Sequence, residues 1–156
     1  QLAERWANAG MDEAFIAENR FTVHDLVIVA SMIEKESDGS DRAQISSVMY
    51  NRLNNPSGGT QGYLQIDASI QYVLPEGEIV TKDHYSTVQS PYNTYLYEGL
   101  TPGPIANPGL SSLKAALNPA STNYYFYVLN PATGKHQFST TLAEHEGYVS
   151  KFANGG

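Results

Sequence analysis

Cysteine is absent from this sequence of 156 residues, which excludes thiol catalysis, disulfide bonds and cysteine-ligated zinc. Positive charge is scarce as well, with 9 Lys and Arg against 16 Asp and Glu and a formal net charge of -7. Because sequence-independent nucleic-acid binding needs clustered cations, no nucleic-acid partner is expected. No apolar run approaches the ~20 residues of a membrane span, so a membrane anchor is expected only outside these residues.

The composition is that of an ordinary globular protein, with 41% hydrophobic and 16% charged residues. At this length one compact domain with a single core is expected, spanning residues 1–156. The aromatic residues are less ordinary, because 11 Tyr stand beside 5 Phe and 1 Trp. Tyrosine offers a stacking face and a hydroxyl, which suits a polar ring such as a sugar, although strands favour the same residue.

Hydrophobic periodicity and turn residues divide the chain into short elements. The apolar run of residues 26–33 follows a helix-start pattern, Thr22 with Asp25, and predicts a buried helix. Asp41, supported by Gln44, is predicted to cap the next helix, which ends near Pro56. The other predicted helices cover residues 2–9, 13–18, 67–74, 111–117 and 141–152.

Strands and ordered loops account for the rest of the chain. A short strand is predicted at residues 63–66, and aromatic and β-branched residues predict a hairpin of residues 124–128 and 136–139. Five of the eight prolines lie between Pro75 and Gly109, where regular structure is expected to be sparse but the loops ordered. The predicted fold class is therefore α+β: N-terminal helices, a small antiparallel sheet and long ordered Pro/Gly loops.

Two glutamates close the most apolar helix of the sequence. Glu34 and Glu36 lie at its C-terminal end, where the helix dipole disfavours a negative charge. At about 100° per residue, Glu36 projects between Met32 and Val29 and has the drier surroundings. A carboxylic acid kept protonated by an apolar setting is what glycosidic bond cleavage requires. The alternative is a pair of solvated glutamates that form ion pairs with Lys35 or Arg42.

Several motifs follow one another between about Leu26 and Phe152. They are ASMIEKES (30–37), VMYNRL (48–53), LQID (64–67), YNTY (92–95), GLTPGPIANPG (99–109), SLKAA (112–116) and HQF (136–138). In this order they resemble the signature of the YceG-like family of endolytic murein transglycosylases. The number of separate motifs argues against agreement by chance.

The resemblance implies a role for Glu36, the second glutamate of Glu-Lys-Glu. Glu36 and Ser37 resemble the Glu-Ser pair of lytic transglycosylases, which implies that Glu36 protonates the oxygen of the MurNAc-β-1,4-GlcNAc bond. As a carboxylate, Glu36 then takes the proton of the C6 hydroxyl of the same sugar. That hydroxyl attacks and leaves a 1,6-anhydroMurNAc end. This mechanism needs no cofactor and no second carboxylate.

Polar and aromatic side chains of the same motifs are predicted to hold the glycan: Asn51, Gln65, Asp67, Tyr92, Asn93, Thr94 and Tyr95. Asp67 reads equally well as the N-cap of a short helix. Arg52 either forms a structural ion pair or contacts an acid of the substrate's lactyl-peptide. His136 and His145 lack a recognised ligand spacing, so no metal is expected.

The resemblance also implies a cellular setting. The full-length protein is expected to carry a membrane anchor and a LysM-like part, neither present in residues 1–156, and to lie at the outer face of the bacterial cytoplasmic membrane. Its partners would be peptidoglycan glycan strands and the wall-synthesis machinery. Two other functions stay open. One is a muramidase-type hydrolase with Asp67 or Glu34 as second carboxylate, and the other is a noncatalytic glycan-binding module.

Overall fold

The computed structural model describes residues 21–154, so the helices predicted at 2–9 and 13–18 lie outside the described residues. Six helices and two strands follow one another in this part of the chain. They are α1 (Val23–Glu36), α2 (Arg42–Asn54), α3 (Asp67–Gln71), α4 (His84–Thr87), α5 (Leu110–Leu117), β1 (Phe126–Asn130), β2 (Lys135–Ser139) and α6 (Leu142–Ala153). The predicted α+β class is confirmed.

Helix α1 forms the centre of the core. Its start is the predicted capping box, in which the Asp25 amide donates to the Thr22 hydroxyl (3.1 Å) and the Thr22 amide donates to the Asp25 carboxylate (2.9 Å). Every residue from Leu26 to Ile33 is buried, which agrees with the prediction of a helix that is apolar on most sides. Helix α1 packs against α2, α3 and α5.

Helix α2 follows α1 after a short turn, and its start corrects one prediction. Asp41 occupies the N-cap position, but its side chain makes no capping hydrogen bond. One carboxylate oxygen accepts from the Ser37 hydroxyl (2.6 Å), and the other lies 2.6 Å from Nδ1 of His136. The local Ser37 hydroxyl and the distant His136 ring therefore take the place of the capping hydrogen bond.

The strand predicted at residues 63–66 is wrong. Gln65 has a φ of 53°, a left-handed conformation that interrupts an extended ladder. The segment is held by Thr94 instead: the Gln65 amide donates to its carbonyl (3.1 Å), and the Ile66 amide donates to its hydroxyl (2.8 Å). Alternation of apolar and polar residues arises here without a neighbouring strand.

The C-terminal part forms the predicted hairpin, with the first strand two residues later than the predicted 124–128, and a covering helix. Strands β1 and β2 pair antiparallel with Phe126 opposite Ser139 and Asn130 opposite Lys135. Thr141 and the following turn form the second predicted capping box, and α6 then packs against both strands. No helix within residues 21–154 is long and apolar enough to cross a membrane.

Candidate active site

Helix α1 ends at a cavity of about 580 Å³, and Glu36 is part of its wall. The cavity lies between the end of α1, the segment around Gln65, the hairpin and α6. Its lining residues are Glu36, Arg52, Gln65, Asp67, Tyr85, Tyr95, Phe126, Tyr127, Val128, Leu129, His136, Leu142, His145 and Val149. Three of the residues predicted to hold a glycan therefore share the cavity with Glu36, namely Gln65, Asp67 and Tyr95.

The Glu36 carboxyl is set up to hold a proton. Burial raises its pKa above the usual value near 4.5, and the negative charge of Asp67 adds to this. A hydrogen bond of 2.7 Å from the Tyr127 hydroxyl, together with the charges of His136 and Arg52, acts in the opposite direction. Because burial is the largest effect, the pKa stays raised, as a general acid requires.

Glu34 has a different task from Glu36, although only one residue separates them. One Glu34 oxygen accepts from the Gly109 amide (2.7 Å) and from the Ser112 hydroxyl (3.2 Å), at the N-terminus of α5. A carboxylate is favoured at this end of a helix. Glu34 therefore joins α1 to α5 through structural contacts. The predicted alternative of two solvated glutamates, paired with Lys35 or Arg42, is wrong.

The Arg52 side chain packs against the Tyr127 ring. Its guanidinium lies 5.9 Å from the Tyr127 ring centre and 5.6 Å from that of Phe126. It donates to the Tyr125 carbonyl (2.7 Å) and to the carbonyl of Leu64. Arg52 thus ties the strand that carries Tyr127 to the segment that carries Asp67, through hydrogen bonds to backbone carbonyls instead of the predicted ion pair.

Removal of the Tyr127 hydroxyl is expected to shift the pH dependence of the glycosidic cleavage that the sequence predicts for Glu36. The hydrogen bond from Tyr127 lowers the pKa of Glu36, so Tyr127→Phe raises that pKa further. A general acid must be protonated, and the alkaline arm of kcat/KM is therefore expected at higher pH in the variant. A pH–rate profile checks this. Tyr124→Phe, which changes a tyrosine outside the cavity lining, is the control, and an unshifted arm in Tyr127→Phe would contradict the assignment.

Asp67 opens helix α3 but does not cap it, so the capping interpretation is wrong. One of its oxygens accepts from the Tyr95 hydroxyl (2.7 Å) and the other from the Tyr85 hydroxyl (3.1 Å). The two rings stack with centroids 3.7 Å apart and planes 8° from parallel, which places their hydroxyls side by side. Tyr85 and Tyr95, here called the tyrosine clamp, thereby fix the carboxylate at the cavity wall.

A largely buried histidine–aspartate pair contributes His136 to the cavity wall. Nδ1 of His136 is 2.6 Å from Asp41, and both side chains are only about a tenth exposed, at 11% and 10%. The His136 ring meets the Tyr127 ring edge-on at 5.3 Å. Asp41 orients His136 in the cavity wall through this contact.

The other residues predicted to bind the glycan do not line this cavity. Asn51 donates to the carbonyls of Thr122 (3.0 Å) and Tyr124 (2.9 Å), and so holds the chain before β1. Thr94 is buried and organises the segment around Gln65. Tyr92 packs on Tyr72 with ring centroids 5.1 Å apart. A direct contact of these residues with substrate stays a prediction.

Asn93 is fully buried and holds the loop that carries the tyrosine clamp. Its amide donates to the carbonyls of His84 (3.3 Å), Tyr85 (3.2 Å) and Val88 (2.9 Å), and its side-chain oxygen accepts from the Tyr95 amide (3.0 Å). Asn93 therefore joins the two halves of the clamp.

Loss of the Asn93 amide is expected to destabilise the fold. Asn93→Ala removes the donor of three part-buried hydrogen bonds and the acceptor of the Tyr95 amide, which costs about 2 kcal/mol or more. Urea denaturation measures the change in the free energy of unfolding. Asn123→Ala, at an exposed asparagine, is expected to stay within about 0.5 kcal/mol of the parent. Equal effects of the two substitutions would show that the Asn93 hydrogen bonds carry no special weight.

Several cavity residues escaped prediction from the sequence. Tyr127 and His136 were expected only as strand residues, and Tyr85 only as part of a loop. An apolar wall was missed entirely; it consists of Leu129, Leu142 and Val149, which are 50%, 55% and 42% exposed. The one available signal was the HQF motif, which contains His136 and belongs to the set of motifs that resembles the family.

The site has the character of an acid–base site, in which a carboxyl of raised pKa faces an open cavity with polar and apolar walls. Residues 1–151 match the YceG-like family, and the chain belongs to this family.

Three similar proteins illustrate the relationship. An endolytic murein transglycosylase of Bacillus subtilis (strain 168) is 41% identical over 138 residues, covering 86% of this chain and 36% of that protein. Another endolytic murein transglycosylase, from Streptococcus pneumoniae (strain ATCC BAA-255 / R6), is 29% identical over 98% of this chain and 28% of its own length. A crystal structure of a YceG-like protein from Listeria monocytogenes superposes with a TM-score of 0.77 at 38% identity, over 91% of this chain and 45% of that one. The chain thus spans about a third of the length of the curated relatives that it matches.

Proposed function

We propose that this chain is the catalytic domain of an endolytic murein lytic transglycosylase, with Glu36 as its acid and base. The observation that carries the proposal is the placement of Glu36, a carboxyl of raised pKa in the wall of a cavity of about 580 Å³. The names of the relatives agree with this chemistry. Glycosidic cleavage needs such a protonated carboxyl to assist departure of the leaving oxygen.

Glu36 acts twice in the proposed reaction. It first gives its proton to the oxygen of the MurNAc-β-1,4-GlcNAc bond, and the electron pair of the breaking bond stays on that oxygen. The C6 hydroxyl of the same MurNAc then attacks the anomeric carbon, and its proton passes to the Glu36 carboxylate. The Tyr127 hydroxyl, 2.7 Å from Glu36, stabilises the carboxylate form between the two steps.

The two walls of the cavity suit a glycan strand. Gln65, Asp67 and Tyr95 supply hydrogen-bonding groups from residues 65–95, and Leu129, Leu142 and Val149 supply apolar surface from the hairpin and α6. Sugar rings present both kinds of surface, since hydroxyl and acetamido groups surround faces of C–H bonds. Endolytic action requires a cleft that accepts the middle of a strand. The exposure of Gln65 and Leu129 leaves both walls accessible from solvent.

Product chemistry tests the proposal. Purified sacculi are digested with the protein, and the released glycans are analysed by mass spectrometry. Glycans that end in 1,6-anhydroMurNAc are the expected products. Reducing ends alone would overturn the transglycosylase and establish a hydrolase, in which Asp67, present in the same cavity, would be the second carboxylate. Binding of sacculi without any cleavage would point to a glycan-binding module.

The cellular setting is part of the proposal. The full-length protein is proposed to be membrane-anchored, to work at the outer face of the cytoplasmic membrane and to act beside the wall-synthesis machinery. The setting is what the motifs' resemblance to this family implies. Fractionation of cells that produce the tagged full-length protein tests it, with the membrane fraction as the expected location.

A further inference from the structure

Asp67 is the second carboxylate of the cavity, and its surroundings differ from those of Glu36. It is exposed to solvent, whereas Glu36 is partly buried at the end of α1. Both Asp67 oxygens accept hydrogen bonds, from Tyr95 (2.7 Å) and Tyr85 (3.1 Å). A carboxylate accepts in this way at both oxygens, whereas a carboxylic acid donates from one of them.

The tyrosine clamp keeps the Asp67 charge in one place. Stacking of the two rings at 3.7 Å fixes both hydroxyls, and the Asn93 hydrogen bonds fix the loop positions of both tyrosines. Burial raises the pKa of Tyr95, so its hydroxyl remains a neutral donor. A charge held by preoriented groups needs no rearrangement during a reaction, which is the condition for electrostatic stabilisation of a transition state.

We infer that Asp67 is a catalytic residue that stabilises positive charge at the anomeric carbon without taking a proton or forming a bond. This inference rests on the proposed function. As the bond to the leaving oxygen breaks, the anomeric carbon and its ring oxygen share a positive charge. The Asp67 carboxylate offsets that charge, while Glu36 first gives the proton and later receives the proton of the attacking hydroxyl. Two carboxyl groups in different environments thus take different roles.

Asp67→Asn tests the inference because it removes the charge and keeps the size and polar character of the side chain. We expect kcat for the release of anhydro-ended glycans to fall on the order of 100-fold, with KM changed less than about threefold. Asp67→Glu, which restores the charge, is expected to recover part of the rate. Asp83→Asn is the matched control, because Asp83 is exposed, lies outside the cavity lining and loses the same charge.

Each other outcome overturns the inference. A wild-type rate in Asp67→Asn shows that the charge is not needed, and a rise in KM alone shows a binding residue. If the parent releases reducing ends that Asp67→Asn cannot produce, Asp67 is a hydrolytic base or nucleophile. Thermal unfolding followed by circular dichroism verifies that the variants are folded. Glu36→Gln separates the two proposals: if Glu36→Gln stays active, the proposed function fails whatever Asp67→Asn shows.

Discussion

Glu36→Gln is expected to lower the rate of glycan cleavage by roughly 1000-fold, because the amide can neither give nor take the proton that the reaction moves. The amide keeps the shape of the side chain and can still accept from Tyr127, which lies 2.7 Å from Glu36. Binding of sacculi should therefore persist. Release of soluble glycans from sacculi, quantified by chromatography, measures the loss, and a co-sedimentation assay measures binding.

Glu34→Gln is the matched control for this result. The substitution makes the same chemical change two residues away, at a carboxylate that accepts from Gly109 and Ser112 at the start of α5. Cleavage should continue in Glu34→Gln, with a decrease of about 1 kcal/mol or less in the free energy of unfolding. Wild-type cleavage by Glu36→Gln, or complete loss in Glu34→Gln, would contradict the assignment of the catalytic glutamate.

Glu36→Gln is also expected to change how the free energy of unfolding depends on pH. The pKa of Glu36 is raised in the folded protein, so the folded state holds the proton more tightly than the unfolded chain. The contribution of Glu36 to the free energy of unfolding is fully present below its unfolded pKa near 4.5. It is lost as the pH rises through the pKa of Glu36 in the folded protein. Glutamine does not titrate. Glu36→Gln should therefore gain stability over the parent at pH 8 and lose that advantage at pH 4, as measured by urea denaturation.

Arg52→Met is expected to decrease the free energy of unfolding by about 3 to 5 kcal/mol. The guanidinium donates to the part-buried carbonyl of Tyr125 and the buried carbonyl of Leu64, and a buried carbonyl left without a donor costs about 1 to 3 kcal/mol. Methionine retains much of the apolar packing against Phe126, so the loss reports mainly the hydrogen bonds. Equilibrium denaturation in urea gives the difference.

Arg42→Met serves as the control for Arg52→Met. Arg42 is the other arginine within residues 21–154, and its guanidinium donates to the Gly39 carbonyl (2.8 Å) near the surface. A change of about 0.5 kcal/mol is expected there. If Arg52→Met were as mild as Arg42→Met, Arg52 would not be the tie between the hairpin and the Asp67 segment that the hydrogen bonds indicate.

Local signals explain the successful predictions of structure. Helix α1 begins after Thr22 because its capping box is complete within four residues, and its apolar run favours burial on most sides. The same reasoning located α6, which begins after Thr141. The prediction of a strand at residues 63–66 was wrong because an alternating pattern does not show whether a neighbouring strand is available for pairing. Its partner is Thr94, a single residue 28 positions away from Ile66.

Sequence by itself determined that Glu36 lies at the end of a buried helix, and the ordered motifs indicated its family. Only the tertiary structure decided what the acidic residues do. Glu34 faces α5 while Glu36 faces Tyr127, 91 residues further along the chain. Local reasoning left Asp67 as either a helix cap or a glycan-binding residue, and the structure shows Tyr85 and Tyr95 holding it at the cavity. The physical reason is that the charge state and use of a carboxyl depend on which distant donors and apolar groups surround it, and chain packing selects these.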